Sequence, residues 1–220
     1  MCGITGFITF EDQTIKDLSK MSSLIKHRGP DDSNYYIYQQ RNFYIMHNRL
    51  SIIDLNKTGS QPMISNMGNV LVYNGEIYNF IELKNDLIKN YQINFNGTSD
   101  TEILLNLIEI YGIEKSLEKI KGMFAFCYFD KSKEKIFFAR DRLGEKPLYY
   151  GFLNNDFIFV IPEYEDALAK SSCLLILEPV NPNIEAAIKL LTPTAMPIPI
   201  IKICGIAKPL SLKINRSLFS

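Results

Sequence analysis

The sequence predicts an α+β fold, with sheet layers covered by helices. Strand-like runs come in hairpin-like groups and helical stripes in separate groups, unlike the regular alternation of a parallel βαβ sheet. The 220 residues are enough for one domain with a sizeable core. Hydrophobic residues make up 46% and charged residues 22%, ordinary globular values that argue against disorder.

The elements read as follows. Gly3–Phe10 is short, β-rich and bounded by polar residues, so it predicts a strand. Across Thr14–Lys26, Ile15, Leu18, Met21, Leu24 and Ile25 form a helical stripe. Gly29 and Pro30 break the chain in the His27–Asp32 loop. Asn34–Tyr38, Phe43–His47 and Asn69–Tyr73 predict strands, and Asn74–Gly75 has the composition of a type I′ hairpin turn. Tyr78–Asn90 predicts a helix. Ser99 and Glu102 have capping-box spacing, and the helix they open puts Ile103, Leu104, Leu107, Ile108 and Tyr111 on one face. Gly112 suits the position just past its end. A short helix over Ile113–Ile120 follows, then strands at Met123–Asp130, Lys135–Arg140, Pro147–Phe152 and Asp156–Ile161.

The character changes near Pro162. Seven of the ten prolines lie from there onward, and Tyr164 and Phe219 are the only aromatics beyond that point. Residues 1–161 are therefore expected to form the folded domain. Residues 162–220 are expected to form an irregular extension, with one helix near Ile184–Leu191.

Charge and cysteine usage narrow the function classes. Net charge is zero at pH 7, so nothing asks for nucleic acid or an anionic membrane as partner. Glu11 and Asp12 come too early for a secretory signal, and no run of about 18 apolar residues predicts a membrane span. A cytoplasmic protein is expected. Cys2, Cys127, Cys173 and Cys204 are too far apart for a zinc-type pair, and without a secretory signal a disulfide framework is not expected. Cys127 lies in an apolar run and reads as a buried small hydrophobe.

Cys2 differs because of its place. A small second residue permits removal of the initiator Met1, which would leave Cys2 with a free α-amino group. An α-amino group has a reference pKa of about 7.7–8.0 and a thiol about 8.5, so such an amine can take the thiol proton at about neutral pH. His27 and His47, the two histidines, are not needed as bases and are expected to support their loops.

Eight blocks run in order: MCGITGF, HRGPDD, HNRLSIIDL, GSQPM, YNGEIYN, TSDTEILL, KGMFAF and RDRLGEKPLYYG. Together they resemble the class II glutamine amidotransferase domain of glutamine-hydrolysing asparagine synthetase, over about residues 1–152. The resemblance implies the N-terminal nucleophile hydrolase fold, a four-layer αββα sandwich of two antiparallel sheets. It implies Cys2 as nucleophile and Asn74 and Gly75 as oxyanion hole. It implies Arg49 on the α-carboxylate of L-glutamine, Asp100 on its α-ammonium, and Glu76, Leu50, Ile52 and Ile53 as further substrate contacts. A planar guanidinium suits a carboxylate, and two neutral donors suit a developing oxyanion. In a turn at a strand end, Gly75 N–H and the Asn74 amide would point at one spot.

The resemblance stops before the synthetase half. That half carries a Gly-Gly pyrophosphate loop, and this chain has no Gly-Gly pair. No cofactor is therefore expected in this domain, with ATP and magnesium belonging to the absent synthetase domain. A separate synthetase domain or subunit is the expected partner. After the last strand, Phe159-Val160-Ile161-Pro162-Glu163 keeps only Glu163 of the family's pattern, and Ala195–Asn215 resembles a degraded linker. Two alternatives stay open: a non-catalytic remnant or binding module, and a glutaminase subunit serving another acceptor in polysaccharide or secondary-metabolite chemistry.

Overall fold

The computed structural model describes residues 2–9, 15–153 and 156–161, and the backbone of three short strands further on. In chain order the elements are β1 (Gly3–Ile8), α1 (Ile15–Leu24), β2 (Asp32–Tyr38), β3 (Phe43–Arg49), β4 (Met63–Ile64), β5 (Val70–Ile77), α2 (Phe80–Tyr91), α3 (Asp100–Tyr111) and α4 (Ile113–Lys119). Then come β6 (Gly122–Asp130), β7 (Lys135–Arg140), β8 (Tyr149–Leu153), β9 (Asp156–Ile161), β10 (Glu178–Pro179), β11 (Ala187–Ile188) and β12 (Ile201–Cys204).

The strands form two six-stranded sheets, ordered β10-β8-β9-β1-β3-β2 and β11-β12-β7-β6-β5-β4. Pairing is antiparallel throughout except where β12 lies parallel to β7. The sheets face each other across a core that includes Ile4, Ile8, Phe43, Ile45, Val70, Val72, Phe129, Phe138 and Phe159. Its rings interlock, with Phe138 edge-on to Phe159 at 4.7 Å and Phe43 tilted on Phe129 at 5.4 Å. Burying each such ring is worth about 2–3 kcal/mol, so this seam fixes how the two sheets sit together.

The alternate residues of the strands face outward and take the helices. Phe7 and Tyr44 pack with Leu18 of α1 on the first sheet. Leu71, Tyr73, Phe126 and Tyr128 pack under Leu83 and Leu87 of α2 and Leu104 and Leu107 of α3. The result is the four-layer αββα sandwich. Because side chains alternate along a strand, even positions of β1 and β5 and odd positions of β3 point between the sheets. Cys2, just before β1, keeps that parity, as do Arg49, Asn74 and Glu76.

Helix α3 carries the predicted start signal, with one change. Ser99 Oγ accepts from Glu102 N at 3.3 Å. The Glu102 carboxylate turns away from Ser99 and accepts from Asn96 N and Gly97 N at 2.8 and 2.9 Å, bracing the loop before the helix. Gly112, with φ +76°, ends the helix and donates its N–H to Ile108 O.

Three expectations need correction. Asn74–Gly75 is not a hairpin turn: β5 runs through both to Ile77, with Asn74 opposite Ala125 and Gly75 opposite Phe124. An eight-residue ladder with β6 outweighs the local turn preference of the dipeptide. The two-residue β4 was not anticipated, being too short to carry a periodic signal. Within the segment expected to be helical, 184–191, Ala187–Ile188 pairs with Lys202 and Ile201 as strand; the rest of that segment lies outside the described residues. No helix among the described residues is long and apolar enough to cross a membrane.

Candidate active site

The inner faces of the two sheets open at one end into a cleft of about 150 Å³. That is below the usual range for drug-sized ligands and suits a small metabolite. Cys2, Arg49, Leu50, Ile52, Ile53, Asn74, Gly75, Glu76 and Asp100 all line it. These are the nine residues singled out in the sequence, gathered from just before β1, the end of β3 and the loop after it, the C-terminal half of β5 and the first turn of α3. Neither histidine lines it. His27 is exposed, and His47 is buried beneath with both ring nitrogens unpartnered. Burial pushes the His47 pKa down to about 3, so it is neutral.

Cys2 sits against Leu50. Its sulfur accepts from Leu50 N at 3.4 Å and approaches Leu50 O at 3.7 Å. Burial raises the thiol pKa; the Leu50 N–H, the positive terminus, Arg49 and Arg28 pull the other way without overcoming it. The resting thiol therefore holds its proton.

Across the cleft, β5 presents its free edge, because β4 reaches only to Val70 and Leu71. Phe124 sends both its backbone groups to Asp141: its N–H to Oδ2 at 3.2 Å and its carbonyl to the Asp141 N–H at 2.7 Å. Its opposite number Gly75 is thus in a non-hydrogen-bonded pair, with its own N–H turned to the free edge. Tyr73 and Ile77, two residues away on either side, point the same way. Gln61 Oε1 takes the Tyr73 N–H at 2.6 Å, and Asp100 Oδ2 takes the Ile77 N–H at 3.0 Å. The Gly75 N–H between them has no acceptor among the described residues. Glycine is required here, since an added Cβ would overlap the Met123 carbonyl oxygen and come 2.7 Å from Phe124 Cα. The Asn74 side chain is 2% exposed, yet its Nδ2 has no partner. Two unspent donors, one backbone and one side-chain, thus flank the cleft.

Arg49 is buried and held by the loop that follows β3. Its Nη2 donates to Asp54 O, and its Nη1 donates to Asn56 O at 3.0 Å and to Ser60 Oγ at 3.5 Å. Three of its five N–H groups are so engaged, which leaves two for a ligand. Gly59 makes room for it, because a Cβ there would press on Nη2.

Asp54 ties this loop to the segment before α3. Its carboxylate accepts from Asn56 N at 2.9 Å, Thr58 Oγ1 at 2.9 Å and Thr98 N at 3.1 Å. Burial raises its pKa, but these bonds and Arg49 outweigh that and bring it below the usual value. On the far side, Asp100 is 4% exposed. It accepts from Tyr73 Oη at 2.8 Å as well as from Ile77 N. Burial is the largest influence and raises its pKa despite those bonds.

Asp54, Gln61, Tyr73, Ser99 and Thr101 also line the cleft and were not anticipated there. All five lie inside the quoted blocks, which were the signal available for them. Ser99 pairs locally with Glu102, whereas the pairings of Tyr73, Thr101 and Asp54 span 27, 40 and 44 residues of sequence, beyond any local pattern. Among the described residues no group of three His, Cys, Asp or Glu could hold a metal ion.

Comparison with known proteins gives the family of the chain and relatives of its fold. Residues 1–178 match the family model described as glutamine amidotransferase domain. The chain is 42% identical over 177 residues to a putative asparagine synthetase [glutamine-hydrolyzing] 2 of Methanocaldococcus jannaschii, covering 72% of this chain and 33% of that protein. It is 41% identical to asparagine synthetase [glutamine-hydrolyzing] 2 of Bacillus subtilis, covering 72% of this chain and 21% of that protein. The chain therefore spans a third or less of the length of these curated relatives. In solved structures, the glutamine phosphoribosylpyrophosphate amidotransferase of B. subtilis superposes with a TM-score of 0.62 at 23% identity, over 72% of this chain and 41% of that one. That likeness is one of fold.

Proposed function

The chain belongs to the glutamine amidotransferase domain family, and from that premise we propose that Cys2 hydrolyses glutamine to glutamate and ammonia. One observation carries the residue assignments: a sulfur just before β1 lines a single cleft with two donors of the second sheet, the unpartnered Asn74 Nδ2 and the edge-facing Gly75 N–H.

The reaction needs Cys2 freed of Met1. Its α-amine then takes the thiol proton while the sulfur attacks the side-chain amide carbon of glutamine. A base is required because burial keeps the resting thiol protonated. The S–C bond forms, and the carbonyl oxygen becomes an oxyanion held by Asn74 and Gly75. The ammonium on Cys2 returns its proton to the amide nitrogen, the C–N bond breaks, and ammonia leaves a thioester. Water then attacks, giving a proton to the amine. The S–C bond breaks, the thiol is restored and glutamate departs. Arg49 holds the α-carboxylate through its two unengaged N–H groups, and Asp100 holds the α-ammonium. Leu50, Ile52, Ile53 and Glu76 complete the wall, and no cofactor enters any step. The ammonia is passed to a synthetase domain or subunit that forms asparagine in the cytoplasm, the reaction named for the longer relatives.

Intact mass after incubation with diazo-oxo-norleucine tests the assignment. The expected result is loss of Met1 and one adduct, on Cys2. A folded, processed protein that takes no label and releases no glutamate would be a non-catalytic binding module instead.

A further inference from the structure

The Asp100 carboxylate does not stand alone at the ammonium end of the cleft. Oδ2 receives two hydrogen bonds, from the Tyr73 hydroxyl at 2.8 Å and from Ile77 N at 3.0 Å, both from β5. The same strand carries Gly75 between them. Tyr73 is itself fixed at both ends. Its ring is 2% exposed and packs under α3, and its N–H goes to Gln61, whose Nε2 reaches Thr101 Oγ1 at 3.3 Å on the turn of helix that holds Asp100. The hydroxyl lies in a ring of contacts closing β5 onto α3, and it aims at one carboxylate oxygen.

We propose that Tyr73 is a positioning residue for substrate recognition: its hydroxyl orients the Asp100 carboxylate so that a ligand α-ammonium meets it. This rests on the glutaminase reading of the same cleft. A cation-binding carboxylate must be held as an acceptor, and Tyr73 supplies a side-chain donor fixed on Oδ2 beside the Ile77 N–H. The hydroxyl also opposes what burial does to Asp100, whose pKa lies above the usual carboxylate value even with the bond in place. Other ionisable groups near the pair are Glu76 on the same strand, Cys2 before β1 and Arg49 at the end of β3. Glu76 and the Cys2 thiolate would raise the Tyr73 pKa further, as burial and Asp100 already do, so the phenol stays a donor across the working pH range.

Tyr73→Phe keeps the buried ring and removes one donor. For a hydrogen bond to a charged group, the expected loss is about tenfold or more in kcat/KM for glutamine at pH 7, carried by KM with kcat nearly unchanged. The loss should grow as pH falls, because the unsupported carboxyl protonates at higher pH than the supported one. It should vanish for glutaramate, the substrate analogue without the α-amino group, and in an Asp100→Asn background. A variant that matches wild type on glutamine overturns the proposal, as does one that loses equally on both substrates and at every pH. Calorimetric binding of glutamine and glutaramate to Cys2→Ala protein, with and without Tyr73→Phe, makes the same comparison without turnover. Tyr73-dependent binding by a wild type that releases no glutamate would sink the hydrolase reading alone; no discrimination between the two ligands would sink this one.

Discussion

Replacing Asn74 by alanine separates catalytic cost from structural cost, because the structure gives the two very different sizes. Asn74 Nδ2 is buried and unpartnered in the resting protein. An orphaned buried donor costs about 1–3 kcal/mol, so its removal relieves strain on the fold. Against that stands the packing lost with three side-chain atoms, of similar size. The net change in stability should be within about 1 kcal/mol, or roughly 4 °C in Tm for a domain of this length. Turnover behaves otherwise. The same Nδ2 is one of two donors facing the oxyanion, and deleting such a donor costs about 3 kcal/mol, or 10²–10³ in rate. Glutamate release should therefore fall by that factor in kcat and in kcat/KM alike, since the interaction forms only in the transition state. A coupled glutamate assay and a thermal melt on one preparation read both. Turnover within about threefold of wild type would remove Asn74 from the oxyanion hole. A Tm drop well beyond 4 °C would show that its amide has a partner in the fold.

Other perturbations test separate joints. Gly75→Ala should both unsettle the β5–β6 pairing and abolish labelling of Cys2, as a Cβ would run into the Met123 carbonyl oxygen and Phe124 Cα; soluble, fully active protein would contradict that packing. Ser99→Ala removes the bond to Glu102 N and should cost about 1 kcal/mol by urea denaturation, with no change in KM if the cap is only structural. His47 is held neutral with a pKa depressed to about 3. Its contribution to stability is present above the unfolded-state value near 6.5 and is lost as pH falls below it, at up to roughly 1.4 kcal/mol per pH unit. His47→Gln should flatten that slope between pH 6 and 4, and an unchanged slope would exclude His47 as its source. Asp54, with a lowered pKa, contributes stability present above the usual carboxylate range and lost as pH falls through its own lower value. Asp54→Asn should therefore be least stable relative to wild type near neutral pH and approach it in strong acid.

Much of this molecule could be read along the chain, and what escaped did so for one reason. The helical stripe of α3, its Ser99 cap and its Gly112 stop are all local chemistry, and they were legible. So were the runs that became β6, β7 and β9. Asn74–Gly75 was misread as a turn because dipeptide preference is local, while a ladder with residues near 125 is not. Gln61, Tyr73 and Asp54 serve the site through partners 12, 27 and 44 residues away. No periodicity announces such bonds, and Gln61 in particular acts as a substitute for a missing strand neighbour. The nine cleft residues and the side chains that brace them all fall within ordered blocks of a family pattern, but the bonds that Asp54, Gln61 and Tyr73 make become visible only once β5, α3 and the loops between them meet.

The way β5 ends its pairing bears on how the molecule keeps to itself. A bare strand border with a row of free amides is a template on which a second polypeptide can grow, and many proteins blunt such borders to stay apart. Here two side-chain oxygens, from Gln61 and Asp100, have filled alternate places in that row. A foreign strand would find single gaps instead of a continuous track, so the stretch should resist cross-molecule stacking even when the cleft is empty.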